Sequence, residues 1–479
     1  METHPNLING SWHTGTDTNR NVNPSDTSDE VGIFARGTAE DAQAAVAAAA
    51  EAAPRWAATT PADRATHLDH IGATLERRKE ELGRLLSREE GKTLREGVGE
   101  VARAGQIFRY YAAQTLSNAG EILPGLRPGV EIDIQRRPVG VVSVITPWNF
   151  PIAIPAWKVA PALAYGNAVV LKPADMVPAS AWALAEIIQS SGVPAGVFNL
   201  VMGRGSVVGE VLTTAANVDA VSFTGSVETG RSLATTAVEH GKRAQLEMGG
   251  KNPLVVLDDA DLDVAVRCAV EGSYFSTGQR CTASSRLIVT DGIHDRFVDA
   301  LVDRLADLHV GHALDEGTDI GPVVDRSQLE QDLRYITLGQ DEGATLAFGG
   351  ATLQRATEGF FLEPTLFVDS TNEMRINREE IFGPVAGVIR VDGYDEALAT
   401  ANDTDFGLSA GIVTTSLKAA RDFRHRAQAG MVMVNLPTAG TDHHVPFGGT
   451  KASSYGPREQ GTYARDFYQV ITTGYTAAG

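Results

Sequence analysis

Short apolar runs recur through this chain with helix-length segments between them, and that rhythm restricts the fold more than any other feature. Residues 139–145, 168–171, 197–201, 220–223 and 244–246 are such runs, spaced about 20 to 30 residues apart. A strand that crosses over through a helix to a neighbouring parallel strand does so right-handedly, so the pattern predicts an α/β chain with a parallel, doubly wound sheet. A second series starts at 253–257 and continues through 286–289, with helical stretches at 261–275 and 292–308. Gly249-Gly250 is the natural hinge between the two series. Upstream, 38–118 reads as helices, and Thr60-Pro61-Ala62-Asp63 supplies an N-cap, a proline at the first helical position and an acid at the third. The stretches 122–138 and 463–476 alternate without an obvious core to cover them, which suggests an edge used for subunit pairing.

A chain of 479 residues is long enough for two cores. Its formal charge of -19 argues against nucleic acid, which requires a basic face, and means that an anionic substrate must be captured by local cations. No apolar run reaches the roughly 18 residues of a membrane span, and the polar start lacks the layout of a signal peptide. The expected address is the cytoplasm. The only cysteines, Cys268 and Cys281, fit a reducing compartment better than a single disulfide. Cys268 lies in an apolar helical pattern and reads as a buried small hydrophobe. Cys281, between Gly278-Gln279-Arg280 and Thr282-Ala283-Ser284, resembles no core strand or helix.

Several motifs carry chemistry, and each has a plain structural alternative. Gly203-Arg204-Gly205-Ser206-Val207-Val208-Gly209 follows a strand and opens a helix, but its spacing is wrong for a dinucleotide fingerprint. Phe223-Thr224-Gly225-Ser226 puts an N-cap at a helix start whose free N–H groups suit a phosphate; the alternative is an ordinary capped helix. Asn149, in Thr146-Pro147-Trp148-Asn149-Phe150-Pro151 after a buried run, is either a fixed donor for an oxyanion or a turn residue. Glu247, beside Met248-Gly249-Gly250-Lys251-Asn252-Pro253, is either a carboxylate that approaches a ligand or a strand-end surface acid. His443-His444 reads as a loop feature rather than a metal site, and no metal is expected.

Taken together, 146–151, 223–230, 247–253, 278–282 and 380–384 have the order and spacing of the aldehyde dehydrogenase superfamily, which the chain resembles over essentially its whole length. The likeness is to the dimeric or tetrameric non-phosphorylating branch. It implies two doubly wound parallel-sheet domains plus a small β oligomerisation arm. The dinucleotide-binding domain would take 1–121 and 139–248, and the catalytic domain 249–434. The arm would take 122–138 and 462–479, and 435–461 an anchor loop that returns to the cofactor domain. The resemblance makes Cys281 the covalent nucleophile, Asn149 an oxyanion donor and Glu247 the general base, with Lys158 and Glu459 relaying protons. For NAD or NADP it implies Lys172 at the adenosine ribose, Ser226 at the pyrophosphate, and Glu380 and Phe382 at the nicotinamide end. Ile145, Trp148, Gly209, Thr224, Gly225, Gly230 and Met248 would complete that groove. Asp175 stands where the family often has a glutamate; its charge disfavours a 2′-phosphate while its shortness leaves room for one, so the choice of dinucleotide stays open.

The stretches 276–289, 435–449 and 453–461 resemble α-ketoglutaric semialdehyde (2,5-dioxopentanoate) dehydrogenases. That likeness implies a carboxylated aldehyde, a cation to meet it and a small-residue loop beside it. Arg280 is the nearest candidate, with Arg103 and Arg109 as others, Thr438 on the loop, and Trp157 and Phe447 as apolar walls. A succinate semialdehyde or broad-range aliphatic or aromatic aldehyde dehydrogenase is the alternative. Glu247 disfavours a CoA-acylating enzyme, and the lack of a local motif pairing histidine with Cys281 disfavours a thiol hydrolase.

Overall fold

The computed structural model describes residues 2–117 and 120–477. The expected apolar runs become adjacent strands of one eight-stranded sheet. Its centre is parallel, in the order Arg243–Glu247, Ala220–Thr224, Val141–Ile145, Ala168–Lys172, Phe198–Leu200. The short strand Ser454–Tyr455 joins one edge antiparallel, and Asn6–Ile8 with Ser11–His13 extends the other. Strands of the centre such as Val141–Ile145 and Ala168–Lys172 are buried throughout because helices cover both faces. Val142, Val144 and Leu171 point to helices Pro61–Arg77, Leu94–Gln114, Ala153–Ala164 and Ala179–Ser190. The alternate residues Val141, Ile145 and Val170 point to Ala39–Ala57 on the other face.

The chain then crosses Gly249-Gly250 into a seven-stranded sheet centred on Asn252–Val256 and Ser284–Thr290. Val385–Val391 and Thr365–Val368 lie to one side and Ser409–Val413 and Met431–Val434 to the other, all parallel. Only the edge strand Thr345–Phe348 is antiparallel. Helices Leu262–Ser273 and Asp291–Ala306 pack on one face, Tyr394–Asn402 and Leu417–Arg426 on the other.

A third sheet stands apart. Gly120–Pro124 and Val130–Pro138 form the expected hairpin, and Gln469–Ala477 pairs with the second of them along its length. The tail differs from its expected alternation over 463–476. Residues 461–468 form two short helical turns that bury the adjacent Phe467 and Tyr468, and the strand starts only at Gln469. Residues 478 and 479, at the end of the expected arm, lie outside the described residues.

The N-terminal strands were not foreseen. Asp17–Asn23 carries a single apolar residue, so its pairing with Asp26–Arg36 rests on backbone hydrogen bonds that no hydropathy pattern announces. The helix start at Thr60, by contrast, is as read: Thr60 with Asp63 forms a reciprocal box, and the structure adds the same box at Thr38 with Asp41 and at Thr93 with Glu96.

Candidate active site

Four expected site residues are the last residues of parallel strands, and strand register sets them along one sheet edge. Ile145 lies opposite Lys172 and Phe223, and Thr224 lies opposite Glu247. Strand order reverses between Val141–Ile145 and Ala220–Thr224, which opens a crevice at their carboxyl ends. Ser226 caps the helix Val227–Glu239 there, its hydroxyl accepting the Thr229 N–H at 3.3 Å. The glycines keep this backbone low: a Cβ on Gly225 would meet the Phe223 ring at 2.5 Å, and one on Gly230 the Met248 sulfur at 2.4 Å. Gly209 ends the wide π-helical turn Gly205–Gly209, and a Cβ there would meet open space. Lys172 is buried, donates to the Pro173 carbonyl at 2.8 Å, and is pulled down to about 8 by desolvation. Asp175 does not stand free beside it: Arg36 of the N-terminal hairpin pairs with its carboxylate at 2.7 Å. Trp148 and Phe382 meet edge to face at 5.4 Å, and Glu380 accepts the Gly250 N–H at 2.8 Å.

The amino edge of the second sheet faces this crevice. Cys281 sits just before Ser284–Thr290, on a loop of unusual backbone: Ser276, Thr277 and Gly278 have φ of 52°, 56° and 65°. A non-glycine residue in that region costs about 1–3 kcal/mol and persists only when its surroundings hold it. Glu96, from helix Leu94–Gln114, accepts the Ser276 N–H at 2.7 Å and its hydroxyl at 2.9 Å. Gln279 accepts the Val324 N–H at 2.9 Å. Beyond the nucleophile, Asn252 donates to the carbonyls of Cys281 and Ala283 at 2.7 and 2.8 Å. The hinge supplies the space, since a Cβ on Gly250 would lie 2.5 Å from the Cys281 carbonyl oxygen. Burial, then the neighbouring Glu380 and Glu247, push the Cys281 thiol up to about 12. Such a thiol reacts at neutral pH only if a base takes its proton. Cys268 is fully buried in helix Leu262–Ser273, as its sequence pattern indicated.

Asn149 reaches the same loop, donating one amide N–H to the Gln279 carbonyl at 2.9 Å. Its second N–H remains for another acceptor. Glu247 is buried, and desolvation, with the charge of Glu459, raises its carboxyl well above the ordinary range. Fully buried Lys158 pairs with Glu459 and donates to Ser222 at 2.9 Å. Trp157 and Phe447 pack with ring centroids 5.4 Å apart. Thr438 holds its loop rather than presenting a free hydroxyl. It is fully buried, donates to the Thr282 carbonyl at 2.7 Å and lies 2.7 Å from the Ser284 hydroxyl.

The three arginines separate. Arg109 is exposed and paired with Asp69 and Glu76. Arg280 turns its guanidinium onto the Glu271 carbonyl at the end of helix Leu262–Ser273. Arg103 lies against the 435–461 loop, with long contacts of 3.3 Å to Thr441 and 3.4 Å to Gln460, and its Nε, like that of Arg280, is buried without a hydrogen-bond partner among the described residues.

A model of the aldehyde dehydrogenase family matches residues 12–473. The chain belongs to the aldehyde dehydrogenase family. This dehydrogenase is 44% identical over 477 residues to the alpha-ketoglutaric semialdehyde dehydrogenase of Bacillus subtilis, covering 99% of this chain and 98% of that one. It is also 44% identical to the alpha-ketoglutarate semialdehyde dehydrogenase of Haloferax volcanii, over 98% of both chains. A 2,5-dioxopentanoate dehydrogenase of Saccharolobus solfataricus is 40% identical over 95% of each. Among solved structures, a betaine aldehyde dehydrogenase of Staphylococcus aureus in complex with NAD+ superposes with a TM-score of 0.97 at 34% identity, covering 99% of this chain and 95% of that one. The dehydrogenase is an NAD(P)-dependent, non-phosphorylating enzyme.

Lys92, Glu96, Glu100, Asn252 and Gln279 escaped the sequence reading. Only the capping pair Thr93 and Glu96 had a legible signal, and it pointed to a helix start rather than to a loop 180 residues away. Removing the Glu96 carboxylate frees the strained loop, so Glu96→Ala should lower kcat about 100-fold while cofactor affinity, measured by fluorescence titration, changes less than about threefold.

Proposed function

We propose that Cys281, Asn149 and Glu247, brought by three separate loops to the meeting of the two sheets, oxidise a carboxylated aldehyde through a covalent thiohemiacetal and thioester. The observation that carries this reading is the convergence itself. Asn149 bonds to the carbonyl two residues before Cys281, and Glu247 is close enough to perturb the Cys281 thiol. The Cys281 sulfur attacks the aldehyde carbon and its proton passes to Glu247. The free N–H of Asn149 and the Cys281 backbone N–H hold the oxyanion. Bound NAD(P)+ supplies the hydride acceptor that converts the thiohemiacetal into the thioester. Lys158 with Glu459 carries that proton outward, and Glu247, ionised again, deprotonates the water that attacks the thioester, expelling the Cys281 thiolate.

The dinucleotide groove is built from Ile145, Trp148, Thr224, Gly225, Ser226, Gly230 and Met248, with Gly209 at its side, Lys172 and Asp175 at one end and Glu380 and Phe382 at the other. The open helix start at Ser226 and the low glycines on either side of it fit a pyrophosphate.

We infer 2,5-dioxopentanoate as the substrate, with 2-oxoglutarate as product. The relatives from Bacillus, Haloferax and Saccharolobus carry the corresponding names, and the chemistry requires a cation near the pocket. Arg103 meets that need better than Arg280 or Arg109, because its two hydrogen bonds are long and it lies against the loop expected to border the pocket, whereas Arg280 is turned onto the Glu271 carbonyl and Arg109 is paired with Asp69 and Glu76. Trp157 and Phe447 form the apolar wall between. The third sheet leaves Ile122 88% and Leu126 100% exposed, and Ile471 and Tyr475 on its other outer strand are exposed as well, which supports assembly as a homodimer or as a tetramer of paired dimers. Two free cysteines suit a reducing compartment such as the cytoplasm. No helix among the described residues is long and apolar enough to cross a membrane.

Two outcomes test these readings. Cys281→Ala should bind the dinucleotide as the parent does yet produce no NAD(P)H; substantial residual turnover would remove the covalent mechanism. In a steady-state panel, Arg103→Met should lose about 10- to 100-fold in kcat/KM on 2,5-dioxopentanoate, the contribution of one hydrogen bond to a charged group. Its kcat/KM on an uncharged aliphatic aldehyde should stay within about threefold.

A further inference from the structure

We propose that Ser454 is a positioning residue for Glu247: its hydroxyl donates to the carboxylate and holds it, as the ionised base, against its own strand. The inference rests on the reading of Glu247 as the base. Three observations carry it. The antiparallel pairing of Arg243–Glu247 with Ser454–Tyr455 sets Ser454 directly opposite Glu247, so the contact is fixed by strand register rather than by a flexible loop. The hydroxyl proton is also free to be given to the carboxylate. The Ser454 oxygen accepts the Gly449 N–H at 2.6 Å, which leaves its single proton to point at Glu247 Oε2, 2.5 Å away. That length is typical of a hydroxyl donating to a charged carboxylate. Third, the other carboxylate oxygen is held on the same side, accepting from the Gln245 amide at 3.3 Å. Gly448 leaves the room for this arrangement, since a Cβ there would lie 2.8 Å from Glu247 Oε1.

The charged groups around Glu247 pull in both directions. Burial and Glu459 favour the neutral acid, while Lys158, Arg458 and the Ser454 hydroxyl favour the carboxylate. The Cys281 thiol on the facing loop is made harder to ionise by the negative charge of Glu247. Lys158 is already engaged by Glu459 and Ser222, and Arg458 donates to the Gly449 carbonyl. Of the two donors that reach Glu247 directly, the Gln245 amide at 3.3 Å and the Ser454 hydroxyl at 2.5 Å, Ser454 is the shorter. A hydrogen bond given to the ionised form favours it, so removing that bond raises the carboxyl further. A base works only when ionised. Its loss must then move the acid limb of the rate profile toward higher pH, depressing turnover near neutrality and sparing it in alkali.

The test is a pH profile of kcat at saturating cofactor for the parent, Ser454→Ala, Ser454→Gly, Ser454→Thr and Glu247→Gln, with thermal melting of each. In Ser454→Ala the acid limb should move up by about one pH unit, so that turnover at neutral pH falls up to about tenfold and recovers in alkali. Ser454→Gly should do the same and serves if the alanine chain does not fold. Ser454→Thr, which keeps the hydroxyl, should restore the parent profile. An unmoved limb in both hydroxyl-free variants, including one accompanied by a uniform loss of rate, overturns the proposal while an inactive Glu247→Gln leaves the base reading intact. Parent-like turnover in Glu247→Gln overturns both.

Discussion

The buried ion pair between Lys92 and Glu100 is the interaction on which the site depends. Both side chains are 2% exposed, and such burial is tolerable only when every charge finds partners. Here the partners are parts of the active site. Lys92 donates to Glu100 at 2.8 Å and to the Asn149 carbonyl at 2.7 Å, and its ammonium lies 3.8 Å from the centroid of the Phe150 ring. The other oxygen of Glu100 accepts the N–H groups of Ile152 and Ala153, which start the helix bearing Trp157 and Lys158. One turn before Glu100 on helix Leu94–Gln114, Glu96 grips the Cys281 loop. A helix of the first sheet's layer thus sets both the oxyanion donor and the strained backbone before Cys281. Breaking such a pair leaves an uncompensated charge at a cost of about 3–5 kcal/mol, so the arrangement is rigid.

That rigidity suits a site whose reacting groups are all disfavoured as ions. Desolvation raises the Cys281 thiol to about 12 and Glu380 to about 7, and raises Glu247 as well. A thiolate generated here is poorly solvated and strongly nucleophilic, and a carboxylate poised above its usual range is a better base near neutrality. The same burial means that each proton needs a defined path. The chain of Lys158, Glu459, Ser222 and Gln245 behind Glu247 is built entirely of buried groups bonded to one another.

Much of this was legible in advance, and the residues say why. Val142 and Val169 belong to runs whose length and apolar character could be satisfied only between two helical layers. Thr60 and Asp63 announce a helix start because the interaction is local. Asn149, Glu247 and Cys281 stood out because a polar side chain next to a strand end, a glycine pair or a small-residue loop has no packing purpose. The polar strand Asp17–Asn23 gave no such sign, yet its neighbour Arg36 reaches Asp175. Glu96, Lys92 and Glu100 lie within the stretch 38–118, which read simply as helices. A charge pattern along one helix does not say which loop folds against it.

The sequence by itself determined the family and the alternation of strand and helix, and it singled out Cys281, Asn149 and Glu247, the three groups to which the proposed chemistry is assigned. All of these are written in local spacing. Only the tertiary structure decided what holds them. It set Glu96 behind the Cys281 loop and Ser454 opposite Glu247, tied Thr438 down by its hydroxyl, and left Arg103 with two long hydrogen bonds while Arg280 turned to a backbone carbonyl. Those outcomes depend on register and on contacts between residues hundreds of positions apart, where the cost of an unsatisfied buried group selects the partner. No local pattern records that selection.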